Sequence, residues 1–403
     1  MPDDLGNVQF IPEPDDARIL SAVDPAAVEH QPGWRAEVMG WAPSPAMPIP
    51  IMSQWPKRIM NASVFMIGLL ALWLVWRSQL LNIEPILPDS EWVFEQSEIR
   101  ELQQIGQTGD GIRVCIVDTG IDLTHPDLDH LSIEYRDYWS SSDIPVDHGA
   151  LAHGTLMSGL LVADGHQLGA AQGISLGVVS ALGENQDGSN SGDEKRVSNG
   201  IDWCISPFNA DIISLSLGGM QDPDSMSEGD ISLTVRKAIN KGIFVIAAAG
   251  NDGGPADDGL VAIPGNIEYV ITVGASDVNK DRWNGSSLGS QTVGGIDRED
   301  PHLKPEILAP GVGVISTGNQ GSYFETQGTS VSTVIVTGAL ALILEDRPDL
   351  TSSGNFNSDC ILAVKWALRN STLEAGATHS DSNGYGVLSA QKWYDEVMDI
   401  ERC

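Results

Sequence analysis

The sequence predicts a doubly wound α/β domain on a mostly parallel sheet over residues 91–403, preceded by one N-terminal transmembrane helix. Three observations predict it: short runs rich in Val, Ile and Ala, helix-length patterns between them, and an upstream stretch with no charge. The runs are IRVCIVDTG, ISLGVVSAL, ADIISLSLG, IFVIAAAG and YVITVGAS. Runs that are apolar at successive rather than alternate positions belong to strands covered on both faces. Between them HGTLMSGLLVAD, EKRVSNGIDWCIS and SLTVRKAINKG place apolar residues at three- and four-residue intervals, so the order is β-α-β-α and the sheet is parallel.

In chain order, residues 1–58 are acidic and proline-rich, with PEPDD and APSPAMPIPI and no sustained periodicity, and are expected to be a disordered tail. Residues 59–76, IMNASVFMIGLLALWLVW, carry no charge. As a helix they would span roughly 27 Å, near the hydrocarbon thickness of about 30 Å. A cleaved signal peptide would begin earlier and be shorter, and a core helix is seldom apolar on every face. Lys57 and Arg58 on one side against Arg77 on the other place the N-terminus in the cytoplasm, with Trp73 and Trp76 at an interface. Residues 77–90 are a linker, and the remainder is expected outside the cytoplasm as part of a single-pass membrane protein.

Acids outnumber bases by 55 to 22, for a formal charge of −33, and no basic stripe appears. Phosphate binding wants clustered Lys and Arg, so nucleic acid is excluded as a partner. The acidity keeps the protein soluble or steers basic peptides to a cleft. Cys115, Cys204, Cys360 and Cys403 show no CxxC pair and no metal-ligand spacing, so no metal is assigned. Cys115 reads as a small buried hydrophobe, while Cys204 and Cys360 are candidates to pair outside the cytoplasm.

In a parallel α/β sheet, functional groups gather where strands end and helices begin. Asp118 follows IRVCIV, with Gly120 permitting a sharp turn; alone it is an ordinary turn former. His153 opens HGTLMSGLL at a helix start, and its neighbour His148 in DHGA lacks that following pattern and reads as a loop residue. Ser330 stands where a glycine turn enters the apolar helix TSVSTVIVTGALALIL, a position otherwise typical of an N-cap. Asn251 ends IFVIAAAGN and is alone a turn asparagine. Together they change the reading, because a serine nucleophile needs a base, the base an orienting carboxylate, and the tetrahedral intermediate a donor at its oxygen.

These residues carry a resemblance. VDTGID, HGTLMSG and GTSVSTVIVTG, in that order, resemble the aspartate, histidine and serine motifs of the subtilisin-like serine peptidases, whose chain order is Asp, His, Ser. HPDL, SLSLGG, AAAGN, IPGNIEYVITVGA, ILAPGVGVIST and GYGVLSA recur at family-like places. The resemblance implies a serine endopeptidase in which Asp118 orients His153, His153 relays the proton, Ser330 forms the acyl-enzyme and Asn251 holds the oxyanion. It also implies that Ser216, Leu217 and Gly218 run beside a peptide substrate and that Ala249 and Gly250 lie in an S1 wall, with an apolar P1 residue favoured.

Departures accompany the matches. Val331, Ser332, Val334 and Ile335 stand where the family has Met-Ala and then Pro-His, and the resemblance implies retained but slower chemistry. The loop VADGHQLG is short for the family's calcium insertion. Asp127 alone does not supply the six to eight oxygens calcium wants, so no cofactor is expected to be required and calcium at that place is unsupported. No folding propeptide is expected in the tail. Two rival readings share the fold: a peptide-binding pseudoprotease that cuts nothing, and a ligase or cyclase that passes the acyl group to an amine.

Overall fold

The computed structural model describes residues 54–77, 90–219, 229–255, 257–293, 296–351, 358–372, 378–401 and 403. The expected disordered tail falls outside the described residues up to residue 53, as does most of the expected linker, 78–89. The chain divides into two units, residues 1–83 and 84–403.

The first unit contains helix α1, Gln54–Arg77, which encloses the expected membrane run. Over the described residues, no helix is long and apolar enough to cross a membrane. Of α1 itself, the side chains of residues 54–58, 72 and 74–77 lie outside the described set.

The second unit opens with two short helices, α2 (Glu91–Gln96) and α3 (Ile99–Gln104). Its centre is a seven-stranded sheet of β1 (Arg113–Asp118), β2 (Glu134–Asp137), β3 (Ser175–Ser180), β4 (Ile212–Leu215), β5 (Phe244–Ala248), β6 (Ile271–Ser276) and β7 (Ile307–Pro310). The spatial order is β7-β6-β5-β4-β1-β3-β2, and every neighbouring pair is parallel. The five apolar runs became β1, β3, β4, β5 and β6, buried at nearly every position because helices cover both faces. Edge strand β2, EYRD, is largely polar and gave no such signal.

Helices α4 (His153–Val162), α5 (Glu194–Ile205), α6 (Asp230–Ile239) and α7 (Thr329–Glu345) cover the sheet. Successive side chains of a strand point to opposite faces. Along β1, Cys115 and Val117 face α5, where Cys115 is bonded to Cys204 and Val117 meets Gly200, whereas Asp118 turns to the other face and to α4. Helix α7 is buried from Val331 through Leu344, which explains its uniformly apolar sequence. A hairpin of β8 (Val314–Thr317) and β9 (Tyr323–Thr326) supports α4, with the Ser316 and Thr317 hydroxyls donating to the Leu156 and Thr155 carbonyls at 2.7 and 3.0 Å. Helices α8 (Asp359–Thr372) and α9 (Ala390–Met398) complete the unit.

The cysteine expectation is corrected. Cys115 is bonded to Cys204 and Cys360 to Cys403. Parity on β1 turns Cys115 toward α5, so a residue that reads as a lone hydrophobe meets its partner across the sheet–helix interface.

Candidate active site

The C-terminal edge of the sheet gathers the expected residues. Asp118 is the last residue of β1 and is fully buried, and its Oδ1 accepts the Thr119 N–H and contacts His153 Nδ1, both at 2.7 Å. An ionised carboxylate only accepts, so Nδ1 carries the proton and Nε2 of neutral His153 is left as the basic nitrogen. Burial disfavours the imidazolium, but the charge and hydrogen bond of Asp118, with the charge of Asp147, outweigh it, and His153 titrates above the ordinary histidine value. The imidazole remains about one-fifth exposed, 21%, and lines the cleft.

His153 is the first residue of α4 and follows two left-handed residues, Leu151 at φ 54° and Ala152 at φ 53°. No side chain of that segment caps the helix. The Gly154 N–H instead donates to Thr119 Oγ1 at 2.8 Å and the Thr155 N–H to Asp147 Oδ2 at 2.7 Å. Gly154 is obligatory for this approach, since a Cβ there would lie 2.1 Å from the Gly120 carbonyl oxygen.

Ser330 is the second residue of α7, after Gly328 at φ 141° and the fully buried Thr329. Its hydroxyl donates to the Ser216 carbonyl at 3.2 Å, and Ser216 Oγ donates back to the Ser330 carbonyl at 3.0 Å. The Ser330 hydroxyl therefore lies on the cleft wall that His153 also lines, and is not hydrogen-bonded to the imidazole. Its backbone N–H, in the positive first turn of a 17-residue helix, has no partner among the described residues. Asn251 is exposed just beyond β5, and its Oδ1 accepts the Thr329 N–H at 3.0 Å and the Thr329 hydroxyl at 2.9 Å. Holding the oxygen in this way leaves Asn251 Nδ2 as a free donor over the start of α7.

A cleft of about 1450 Å³ joins these groups. Ser216, Leu217 and Gly218 continue β4 along it in extended form, and Gly219 pairs with Ile263 by two 3.0 Å backbone bonds. Of the two residues expected in an S1 wall, Gly250 lines the cleft and Ala249 does not. Ala249 is fully buried, its N–H donating to the Val273 carbonyl and its carbonyl accepting the Ala262 N–H, while Ala248 and Gly250 on either side of it line the cleft. His148, the rival histidine, contacts Asp137 at 3.0 Å and belongs to the β2–α4 connection.

Asp127 has its oxygens occupied by protein donors. Oδ1 accepts the His166 N–H at 2.9 Å, and Oδ2 accepts the Gln167 N–H at 2.9 Å and the Tyr323 hydroxyl at 2.6 Å. Such a donor set closes the loop directly and does not fit a cation, which needs those lone pairs. Among the described residues no group of three or more His, Cys, Asp or Glu is arranged to hold a metal.

Sequence reasoning passed over Thr119, Asp147 and Thr329, which hold the segments bearing the expected residues. Thr119 and Thr329 adjoin Asp118 and Ser330 in the chain, and adjacency was the available signal. Asp147 was masked by its neighbour His148, the more conspicuous residue in DHGA.

Comparison with known proteins identifies the family. The family described as "Subtilase family" matches residues 109–387. Serine protease AprX of Bacillus subtilis (strain 168) is 34% identical over 328 residues, covering 74% of this chain and 70% of that protein. Subtilisin NAT of Bacillus subtilis subsp. natto is 34% identical over 255 residues, covering 62% of this chain and 60% of the relative's length. The solved structure of prenylagaramide maturation protease PagA shares the fold, with a TM-score of 0.58 at 22% identity over 74% of this chain and 98% of that one. With its matching motifs set on a seven-stranded parallel sheet, the chain belongs to the subtilase family of serine-type peptidases.

Proposed function

We propose that the chain is a membrane-anchored serine endopeptidase that cuts peptide bonds through Asp118, His153 and Ser330, with Asn251 and the Ser330 N–H at the oxyanion. The observation that carries this reading is the 2.7 Å contact between buried Asp118 and His153 Nδ1, facing a cleft that Ser330 also lines. In this mechanism the Ser330 hydroxyl leaves the Ser216 carbonyl and donates to His153 Nε2 across the cleft that both line. As Ser330 Oγ attacks the peptide carbonyl, Nε2 takes its proton, and the negative charge that develops on the carbonyl oxygen meets Asn251 Nδ2 and the Ser330 N–H. His153 then delivers the proton to the departing amine, and water releases the acyl group by the same route in reverse order. Asp118 stabilises the transient imidazolium and stays ionised.

The cleft-lining segment Ser216, Leu217 and Gly218 would pair with the substrate as an added strand. Small residues on the cleft, Ala248, Gly250 and Ala262, leave room for a large apolar P1 side chain. Anchoring rests on the sequence of the uncharged run 59–76, which as a helix would span roughly 27 Å. Apolar side chains such as Ile59, Phe65 and Leu70 are each more than half exposed on α1. The two disulfides support an oxidising, extracytoplasmic location for the catalytic unit. No cofactor enters this chemistry.

Digestion of one unstructured test peptide by the full chain, read by product mass, tests the reading. Fragments whose masses sum to the peptide plus water, absent with Ser330→Ala, are expected. Products joined to an added amine would establish acyl transfer instead, and an intact peptide would favour a binding role.

A further inference from the structure

We propose that Asp147 is a positioning residue for the base: a second carboxylate that caps the helix bearing His153, ties it to the loop following Asp118, and sets a further negative charge beside the imidazole. The proposal rests on the peptidase reading above.

Four hydrogen bonds converge on this carboxylate. Oδ1 accepts the Thr119 hydroxyl at 2.7 Å and the Gly149 N–H at 2.9 Å. Oδ2 accepts the Thr155 N–H at 2.7 Å and the Thr155 hydroxyl at 2.6 Å. Thr119 follows Asp118 directly and Thr155 sits in the first turn of α4, so one side chain holds both halves of the Asp118–His153 pair. The Thr119 hydroxyl that Asp147 fixes is also the acceptor of the Gly154 N–H, at 2.8 Å. The two orphan N–H groups after His153 are thus capped from elsewhere in the chain, where the local cap position is an alanine with left-handed backbone. Backbone packing leaves little slack: Cβ atoms at Gly120 or Gly149 would come within 1.9 Å of the Val146 carbonyl oxygen or 2.6 Å of Thr119 Oγ1.

Such a network restrains His153 against the pull of two unfavourable residues, Leu151 and Ala152, immediately before it. The charged groups facing the imidazole are Asp118 from β1 and Asp147 from the β2–α4 connection. Ser330 of α7 and Glu194 of α5 line the same cleft. The charge of Asp147 favours the imidazolium, the species formed during catalysis.

The test is Asp147→Asn in the full chain. Asn keeps one acceptor oxygen but offers an amide where Thr155 needs an acceptor, and it removes the charge. Loss of charge-assisted bonds of this kind corresponds to a fall in kcat of about 10- to 100-fold, with KM within about threefold of wild type. The His153 titration midpoint, followed by NMR with labelled histidine, is expected to move to lower pH, and the acid limb of kcat/KM to move with it. Asp137→Asn, which affects the same connection through His148, should leave the His153 midpoint in place. An unchanged His153 midpoint or an unchanged kcat in Asp147→Asn would overturn the proposal. Should that variant fail to fold, Thr155→Val removes the hydroxyl that donates to Oδ2 and accepts the Asp122 N–H while keeping the charge; a kcat about 3- to 10-fold lower with an unmoved midpoint is expected, and an unchanged kcat overturns the positioning role. Reading the midpoint in a Ser330→Ala background separates the two hypotheses, because the titration reports on Asp147 even if the wild type hydrolyses nothing.

Discussion

Replacing Asn251 separates its two jobs. In the structure its Oδ1 holds the Thr329 N–H and hydroxyl at 3.0 and 2.9 Å, and in the proposed mechanism Nδ2 serves the developing oxyanion. Asn251→Ala removes both functions. It strands the N–H of fully buried Thr329, at a cost of about 1–3 kcal/mol in stability, although the Thr329 hydroxyl keeps the Gly250 carbonyl at 3.3 Å. Asn251→Asp keeps the acceptor that Thr329 uses and loses only the donor, placing a carboxylate oxygen where the oxyanion forms. Loss of one oxyanion donor costs about 2.7–4 kcal/mol, or 10²- to 10³-fold in kcat, a magnitude known from a subtilisin and carried over here. Both variants should fall by at least that factor in kcat with KM within about threefold, since ground-state substrate has no full charge on its oxygen. Steady-state hydrolysis of a chromogenic peptide and urea unfolding read the two effects separately. A kcat loss below about tenfold, a loss seated in KM, or equal destabilisation of both variants would refute this account of Asn251.

Three further predictions concern the frame around the site. The buried amines of Lys304 and Lys365 lie 2.9 and 2.5 Å from one oxygen of Glu306 and are held below the ordinary lysine value by burial, so Glu306→Gln removes the charge that offsets this burial and should cost about 3–5 kcal/mol in urea unfolding; a loss below about 1 kcal/mol would contradict it. Burial pushes Glu306 upward, but the two lysines outweigh it and hold its carboxyl below the usual range; its contribution is full above the unfolded carboxylate value and is lost as pH falls through the folded one. Because His153 titrates above the ordinary value of about 6.5, the acid limb of kcat/KM should lie above that pH; a limb below it would contradict the Asp118–His153 coupling. Non-reducing peptide mapping should recover Cys115 with Cys204 and Cys360 with Cys403, and a Cys204–Cys360 peptide would contradict the structure.

The central strands were legible in the sequence because burial on both faces leaves an unbroken apolar run, as in CIV of β1 and FVIAA of β5. The same rule hid β2, whose EYRD lies at the sheet edge with only Asp137 buried. Asp118, His153, Asn251 and Ser330 stood out because each ends a strand or begins a helix beside a glycine that permits close backbone approach. Asp147 did not, since the hydrogen bonds it accepts from Thr119 and Thr155, on either side of it in the chain, form only once the fold brings the loop after β1 and the start of α4 together. Cysteine pairing was equally out of reach. Cys115 and Cys204 are 89 residues apart, and their meeting depends on which face of β1 each residue occupies and on α5 covering that face. Ala249 and Gly250 show the limit of carrying a motif over as a block, for of these two neighbours only Gly250 lines the cleft while Ala249 is fully buried.

The most direct test of the central claim is mass spectrometry of the full chain after exposure to a fluorophosphonate serine probe, beside Ser330→Ala and His153→Ala. An activated nucleophile requires its base, so one adduct on Ser330, absent from the first variant and strongly slowed in the second, is predicted. A folded wild-type chain that takes no label, or labelling that persists without Ser330, would contradict it.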